Sequence, residues 1–296
     1  MNRRIFGVLT ALLCLCFCQG CCSDGASSQK TEATTIEIEQ TESDYIIKSD
    51  WMTFYFSQKD YDRMTVSDIA SEAVLVMADI RDYLCVNYSE EEAKDSECYF
   101  DSTYRNKDGL ERSTCLWEEK KIYCISLDSF IHEYVHMICE NNSDLVYHPG
   151  NLFREGLAQY VSLTFFDSIA THDYLFFEEE SVSPNSDLSE HRMICELLEE
   201  NGFSYTAENY NKAFVALFAH NYDVSKITSG SDFYNYYIGH IFVDYCIQNL
   251  GGLEQFISVY CDSVTVPDLY GKTVDKIVKE ACAYNTFLFY KPQKTD

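Results

Sequence analysis

The chain divides at about residue 128 into two parts that differ in the spacing of their apolar positions. Beyond that point apolar residues recur every three or four positions, which predicts a succession of amphipathic helices. Before it, only 65–86 repeats in this way, and Ser67 or Thr65 is the candidate N-cap of that helix. The helices predicted in the second part cover 129–141, 152–168, 187–201, 207–221, 233–250, 252–263 and 271–284.

The rest of the first part has the short apolar runs of β-strands. Residues 46–57 (IIKSDWMTFYFS) predict either a strand pair or one irregular strand. The runs 96–104 and 113–127 are also β-rich, and the turn-like segment 105–109 (RNKDG) separates them. A sheet-containing region followed by a mostly helical one is typical of the α+β class.

The first 22 residues have the pattern of a signal peptide. Arg3 and Arg4 precede an apolar run, 5–17, that is too short for an ordinary membrane-spanning helix. The sequence CQGC at 18–21 resembles a bacterial lipobox, and this resemblance implies that Cys21 carries lipid chains anchoring the protein to a bacterial membrane. We therefore predict an extracellular or cell-surface location.

One domain is predicted behind this signal. Residues 23–44 are rich in Ser, Thr and Glu and cannot bury enough apolar surface to fold, which indicates a flexible tether. The domain covers 45–290, with a sheet-containing part, 45–128, and a helical part, 129–290. Nine of the 14 cysteines fall within it and form no CxxC pair. This pattern favours core thiols and leaves one or two disulfides open.

The net charge of −26 narrows the choice of partners. Without the signal peptide, 20 basic residues face 48 acidic ones, a net charge of −28. Such a field repels phosphate groups and anionic lipid, so we expect no nucleic acid and no membrane contact except through Cys21. The acidity favours solubility, and a preference for cationic substrates is the alternative. We expect a monomer.

Candidate chemistry begins in the predicted helix 129–141, which contains the sequence HEYVH. A spacing of four residues puts His132 and His136 on one face, where both imidazoles can reach one Zn²⁺. Glu133 lies beside them and can take a proton from metal-bound water, the general-base role in this motif. The remaining positions are mostly apolar or aromatic, which predicts a buried helix.

Eighteen residues separate His136 from Glu155, the candidate third ligand, which opens the sequence EGLAQY. Two His and one Glu are a standard set for a catalytic zinc ion that keeps its fourth position open. The turn at 149–150 can fold the second helix back against the first and bring Glu155 to the metal. Arg154, the preceding residue, is predicted either to steady Glu155 or to meet substrate.

The HEYVH and EGLAQY sequences together resemble the gluzincin branch of zinc metallopeptidases in ligand types and spacing. The resemblance implies a zincin-like α+β domain in which Gly156 and Ala158 let the two ligand-bearing helices approach closely. It also implies that the strand just before the catalytic helix, 114–126, forms the sheet edge on which an extended substrate lies.

A third match is Tyr236-Tyr237-Ile238-Gly239, which resembles the Tyr-x-x-Gly element of gluzincin aminopeptidases. The resemblance implies that Tyr236 donates its hydroxyl to the oxyanion of the tetrahedral intermediate. Tyr234 and Tyr237 are alternatives for this role, and a plain core aromatic is another interpretation of Tyr236. The chain lacks the Gly-x-Met-Glu-Asn segment with which the aminopeptidase branch captures a free amino group, so an endopeptidase is predicted.

These features predict an extracellular zinc-dependent peptidase that cleaves a peptide or protein substrate, with Glu133 as general base. The alternative from another class is a catalytically inactive surface lipoprotein of zincin fold that binds a peptide or protein partner. A purely structural zinc site is less consistent with the sequence, because no fourth ligand is suitably spaced.

Overall fold

The structure is a computed structural model that describes residues 37–84, 86, 88–107, 109, 112–145, 149–165, 196–204, 210–219, 234–261 and 265–289. All of these residues belong to the same compact unit. The predicted signal peptide, Cys21 and the tether up to residue 36 lie outside the described residues, as do parts of several predicted helices.

A six-stranded mixed sheet forms the first half of the fold. Its strand order is β1-β2-β3-β4-β6-β5, in which β3, β4 and β6 run parallel and the other neighbours antiparallel. The strands are β1 (Ile38–Gln40), β2 (Asp44–Lys48), β3 (Thr53–Ser57), β4 (Glu97–Phe100), β5 (Thr114–Leu116) and β6 (Lys121–Cys124).

The sheet begins earlier in the chain than the predicted domain start at residue 45. β1 and the first residue of β2 lie inside the segment 23–44 that was predicted to be a tether. Pairing explains the difference, because Ile38 and Gln40 join the sheet opposite Ile47 and Tyr45 although the surrounding sequence is polar. Of the two alternatives for 46–57, the strand pair is confirmed.

The alternation of side chains along the strands decides which face of the sheet is buried. Phe54 and Phe56 of β3 are fully buried, and Phe54 packs edge-on against Phe130 with ring centroids 5.8 Å apart. Tyr55, on the opposite face, stacks on Tyr99 of β4 at 4.7 Å. The helices therefore cover the phenylalanine face.

Helices dominate the second half. A further helical stretch covers 196–200, and π-helical turns at Tyr234–Ile238 and Ile247–Gly251 flank α6. The helices are α1 (Arg63–Leu84), α2 (Glu90–Ala93), α3 (Leu127–Asn141), α4 (Asn151–Phe165), α5 (Tyr210–Ala219), α6 (Gly239–Cys246), α7 (Gly252–Cys261), α8 (Val266–Tyr270) and α9 (Val274–Phe289). The chain is thus an α+β protein, as predicted.

The N-cap of α1 was predicted wrongly. The helix begins at Arg63, and Asp62 caps it by accepting a hydrogen bond from the backbone N–H of Thr65 at 2.8 Å. Ser67 lies inside the helix instead, where its carbonyl accepts a hydrogen bond from the Ser71 hydroxyl. Asp62 lies before the apolar repeat and accepts a hydrogen bond from a backbone N–H of the first turn. The helix therefore begins earlier in the chain than the apolar pattern predicted.

Helix α3 lies at the centre of the fold. It packs against α1, against β5 and β6, and against α4, and each residue from 130 to 139 is buried. Helix α4 in turn packs between α3 and α6. Within the described ranges, no helix has the length and apolar character needed to cross a membrane.

The cysteines that the structure describes are free thiols, which agrees with the core-thiol interpretation for these positions. Only Cys261 is partly exposed among them. Cys85 and Cys195 lie outside the described residues. The seven free thiols are Cys98, Cys115, Cys124, Cys139, Cys246, Cys261 and Cys282.

Candidate metal centre

Hydrogen bonds between serines fix the start of α3 against the sheet. The backbone N–H of Ser126 donates to the Ser129 hydroxyl at 3.2 Å, which satisfies a group just before the first turn. Ser113, which precedes β5, donates its hydroxyl to the same oxygen at 2.8 Å. The helix that carries HEYVH is therefore held in register with the edge of the sheet.

Three predicted ligands meet between α3 and α4. His132 and His136 extend from one face of α3, with their Nε2 atoms 3.2 Å apart. Oε2 of Glu155, on α4, lies 3.2 Å from each of these nitrogens. The imidazoles are buried and the glutamate side chain is 19% exposed. Among the described residues, this is the group of His, Cys, Asp and Glu side chains that could hold a metal ion.

The shape of this triad suits a small tetrahedral cation. Three atoms that are mutually 3.2 Å apart form an equilateral triangle. An ion about 2.0–2.1 Å from each atom would see any two of them at an angle of about 100–105°, close to tetrahedral. The three side chains therefore supply three corners of a tetrahedron, and the triad provides no ligand for the fourth.

The protonation of Glu155 also fits a ligand. Burial alone would raise the pKa of this carboxyl, but the charge and hydrogen bonds of His136 and His132 hold the pKa well below its usual range. A carboxylate must be deprotonated to bind a metal. Glu155 is thus ionised, as a ligand must be, and the two imidazoles must be neutral to bind the same ion.

Glu133 has the opposite electrostatic character. It is buried beside the triad, and this burial raises the pKa of its carboxyl to about 7, although the neighbouring His132 charge opposes the shift. The Glu155 charge raises the pKa further, and a hydrogen bond from the backbone N–H of Cys115 lowers it. One carboxyl is thus held ionised while its neighbour can take up and release a proton near neutral pH.

A groove of about 220 Å³ opens onto this site. His136, Glu155 and Glu133 lie in its wall. The groove brings together two of the three candidate ligands, the candidate base and parts of β5, α4 and the π-helical turn before α6. Its other lining residues include Arg112, Cys115, Trp117, Arg154 and Tyr236.

The strand at the edge of the sheet is not the one that was predicted. The run 114–126 is broken by a 3-10 turn, Trp117–Glu119, and by Lys120, whose φ of 53° is left-handed. The strand that leads into α3 is β6, and it lies inside the sheet between β4 and β5. The edge is β5, and the Cys115 N–H that bonds Glu133 shows that this edge faces the site.

Tyr236 lies next to the metal triad. Its ring centroid is 5.2 Å from that of His132, and it lines the groove from the π-helical turn that precedes α6. Tyr234 is buried against Phe218, and Tyr237 packs against the core. Of the three tyrosines considered, the structure thus brings Tyr236 to the candidate ligands. π-Helical turns occur often at functional sites.

Two glycines explain how this turn comes so close. A Cβ on Gly156 would lie 2.5 Å from the carbonyl oxygen of Gly239, and a Cβ on Gly239 would lie 2.7 Å from the carbonyl oxygen of Leu152. Backbone thus meets backbone where α4 crosses α6. The close approach that Gly156 permits is therefore to α6, whereas the sequence analysis assigned it to the helix carrying the histidines.

Arg154 forms contacts that were not predicted from the sequence. Its Nε lies 2.7 Å from Oε1 of Glu140 on α3, and its guanidinium carbon lies 5.1 Å from the ring centroid of Trp117. Neither predicted alternative, a contact with Glu155 or with substrate, anticipated this ion pair. A signal was present, since Glu140 follows His136 by four residues and must share its helix face.

Comparisons with protein-family models, with curated proteins and with solved structures find no match to this chain. The functional interpretation therefore depends on the residues and geometry of the site.

Proposed function

We propose that the protein is a zinc metallopeptidase of the gluzincin type with a zincin-like fold. The observation that carries this proposal is the convergence of His132, His136 and Glu155 within 3.2 Å of one another, beside a buried glutamate. The spacing of these residues along the chain and their position on two adjacent helices agree with the resemblance noted in the sequence.

Zinc is the metal that best suits this donor set. Two imidazole nitrogens and one carboxylate with an open fourth position are typical of catalytic zinc sites. When bound, the ion supplies Lewis acidity that polarises a carbonyl and makes water a stronger acid.

Glu133 is the proposed general base. It accepts a proton from the water that attacks the scissile carbonyl and then delivers that proton to the leaving amine. Its buried environment raises the pKa of the carboxyl to about 7, which suits a group that must both accept and release a proton. A cation in the site favours the carboxylate form and draws this pKa back down.

The open edge of β5 is the proposed substrate platform. An extended peptide can pair with an edge strand through main-chain hydrogen bonds, and β5 lines the groove at Thr114 and Cys115. Tyr236 approaches from the opposite element, where its hydroxyl can donate to the developing oxyanion. A peptide held along a strand edge suits cleavage within a chain, so we propose an endopeptidase.

The site of action that we propose is the cell surface or the extracellular space. The apolar N-terminal run and the lipobox-like sequence ending at Cys21 support export and anchoring. The substrate would then be an extracellular peptide or protein.

Comparing the zinc-loaded wild type with Glu133→Gln tests the mechanism. Glu91→Gln is the control, since this glutamate is 84% exposed and lies outside the site. We expect Glu133→Gln to keep its zinc and its kcat on a mixed peptide library to fall by about 10²–10⁴-fold. A wild type without zinc, or full activity in Glu133→Gln, would contradict the proposal. A zinc-loaded wild type that cleaves no peptide would favour the inactive peptide-binding lipoprotein instead.

A further inference from the structure

Two arginines line the groove beside the metal triad of a chain that has more than twice as many acidic as basic residues. Arg112 and Arg154 stand in the same groove as Glu133 and Glu155, in a protein with 22 basic and 48 acidic side chains. Arg154 is paired with the buried Glu140, so the two arginines face three carboxylates at or beside the groove, those of Glu133, Glu140 and Glu155. The groove thus collects guanidinium donors that are scarce in the chain as a whole.

Arg154 contacts a buried carboxylate and an aromatic ring. Its Nε lies 2.7 Å from Glu140, whose side chain is only 5% exposed, and its guanidinium carbon lies over Trp117 at 5.1 Å. The Arg154 side chain keeps 20% of its surface exposed. A planar guanidinium supported on an aromatic ring and on one buried carboxylate is well suited to bind a second carboxylate.

Arg112 approaches the groove from the residues that precede β5. It lines the same groove as Glu133, the residue proposed to handle the proton. A guanidinium has five N–H donors, and one arginine can therefore serve a protein group and a ligand together. Arg112 and Arg154 thus place cationic donors around the groove in addition to those of the metal centre.

We propose that the groove binds a carboxylate of the substrate through Arg112 and Arg154, close to the bond that is cleaved. An acidic side chain agrees with the proposed endopeptidase, whereas a C-terminal carboxylate at this position would make the enzyme a carboxypeptidase, and the probes below distinguish the two. This inference names the substrate class of the proposed peptidase, and so its catalytic meaning rests on that function. It opposes the preference for cationic substrates that the net charge alone suggests.

The metal ion itself is the competing carboxylate receptor, and binding experiments on metal-free protein remove it. The probes are an acetylated alanine-rich hexapeptide with a free C-terminal carboxylate, the same peptide amidated, and the amidated peptide with one alanine replaced by glutamate. We expect at least one charged probe to bind the metal-free wild type about tenfold more tightly than the neutral amide in calorimetry. The free acid and the glutamate peptide separate the two sources of the carboxylate.

Variants then assign the preference to the arginines. Arg112→Gln should reduce the preference severalfold, and Glu140→Gln combined with Arg154→Gln should do the same without leaving a buried charge unpaired. Lys48→Gln, at a side chain 71% exposed on β2, removes the same charge far from the groove and should change nothing. Thermal melting establishes that each variant is folded.

Equal binding of all three probes to the metal-free wild type would overturn the inference. A carboxylate preference that survives in both arginine variants would overturn it as well. Because these measurements involve no catalysis, they remain decisive even if the zinc-loaded protein cleaves no peptide. Conversely, cleavage of the neutral amide as fast as the charged probes would leave the peptidase function standing and contradict the carboxylate subsite.

Discussion

The two sides of α4 contribute to the site in different ways. Toward α3, the helix presents Glu155 to two histidines and Arg154 to a buried glutamate, so this side consists of polar and charged contacts. Toward α6, it presents the bare backbone of Gly156 to that of Gly239. One side supplies the chemistry of the site and the other supplies close packing.

This difference indicates that the proposed metal centre also depends on contacts without functional groups. The glycine crossing allows α4 to lie close enough to α6 for Tyr236 to stand 5.2 Å from His132. Each glycine lowers helix propensity by about 1 kcal/mol relative to alanine, a cost that the close approach must offset. Substitutions on the two sides of α4 should therefore have separable effects on metal binding, catalysis and stability.

The largest effect on the α6 side is expected from Tyr236→Phe. Loss of one oxyanion donor typically costs about 10²–10³-fold in kcat, and zinc content should not change because the hydroxyl is not a ligand. Steady-state kinetics on the peptide library measures this effect. Tyr237→Phe is the matched control, one residue away and packed against the core, and its kcat should stay close to that of the wild type. A large loss in Tyr237→Phe with none in Tyr236→Phe would show that the role belongs to Tyr237.

Gly239→Ala and Gly156→Ala test the packing side directly. An added Cβ meets backbone atoms at 2.7 Å or 2.5 Å, so the helices must separate, and overpacking of this kind costs about 1–3 kcal/mol of unfolding free energy. Urea denaturation measures the loss, and kcat should fall with it as Tyr236 moves. Gly150→Ala is the control, because a Cβ at that position would have nothing within 4 Å, and it should be neutral within about 0.5 kcal/mol.

The smallest effect is expected at Glu92, which ties α2 to the end of α3 away from both sides of α4. Its Oε1 accepts the Ser143 N–H at 2.6 Å, and Oε2 accepts the Ser89 N–H at 2.7 Å. Partial burial alone would raise the pKa of Glu92, but these hydrogen bonds lower it to about 2. Glu92→Gln should cost about 1 kcal/mol at neutral pH without changing zinc affinity.

The pH dependence of this contribution has a definite sign. A carboxyl whose folded pKa lies below its unfolded value of about 4.3 stabilises the fold above that pH, and the contribution disappears as the pH falls toward 2. The difference in unfolding free energy between wild type and Glu92→Gln should therefore shrink between about pH 5 and pH 2. Glu91→Gln, exposed and one residue away, should show no such trend. A constant difference across this range would contradict the assignment.

The ligands on the α3-facing side of α4 could be predicted from the sequence, because the spacing of nearby residues along the chain indicates them. His132 and His136 must share a face at a spacing of four, and Glu155 follows on the next predicted helix. The packing side was not predictable, since Gly156 and Gly239 are far apart in sequence and meet only through tertiary structure. The edge strand was also predicted wrongly. Lys120 has a left-handed conformation that divides β5 from β6, and the apolar pattern contains no sign of it.

The charged side chains of the groove could not be predicted from the amino-acid composition either. A net charge of −26 describes the surface field, whereas the groove contains two arginines that the fold collects from the start of β5 and from α4. The tether boundary was placed too late for a similar reason, because β1 forms through its pairing with β2 and through Ile38, which packs against the core although the surrounding sequence is polar.

Zinc affinity in wild type and Glu155→Gln, measured by competition with a chelator, tests the central claim most directly. We expect one zinc ion per wild-type chain and a Kd weakened by about a hundredfold or more in Glu155→Gln, since even outer partners of metal ligands contribute about 10–100-fold. Equal affinity in the two proteins, or no zinc in the wild type, would contradict the convergence of three side chains on one ion.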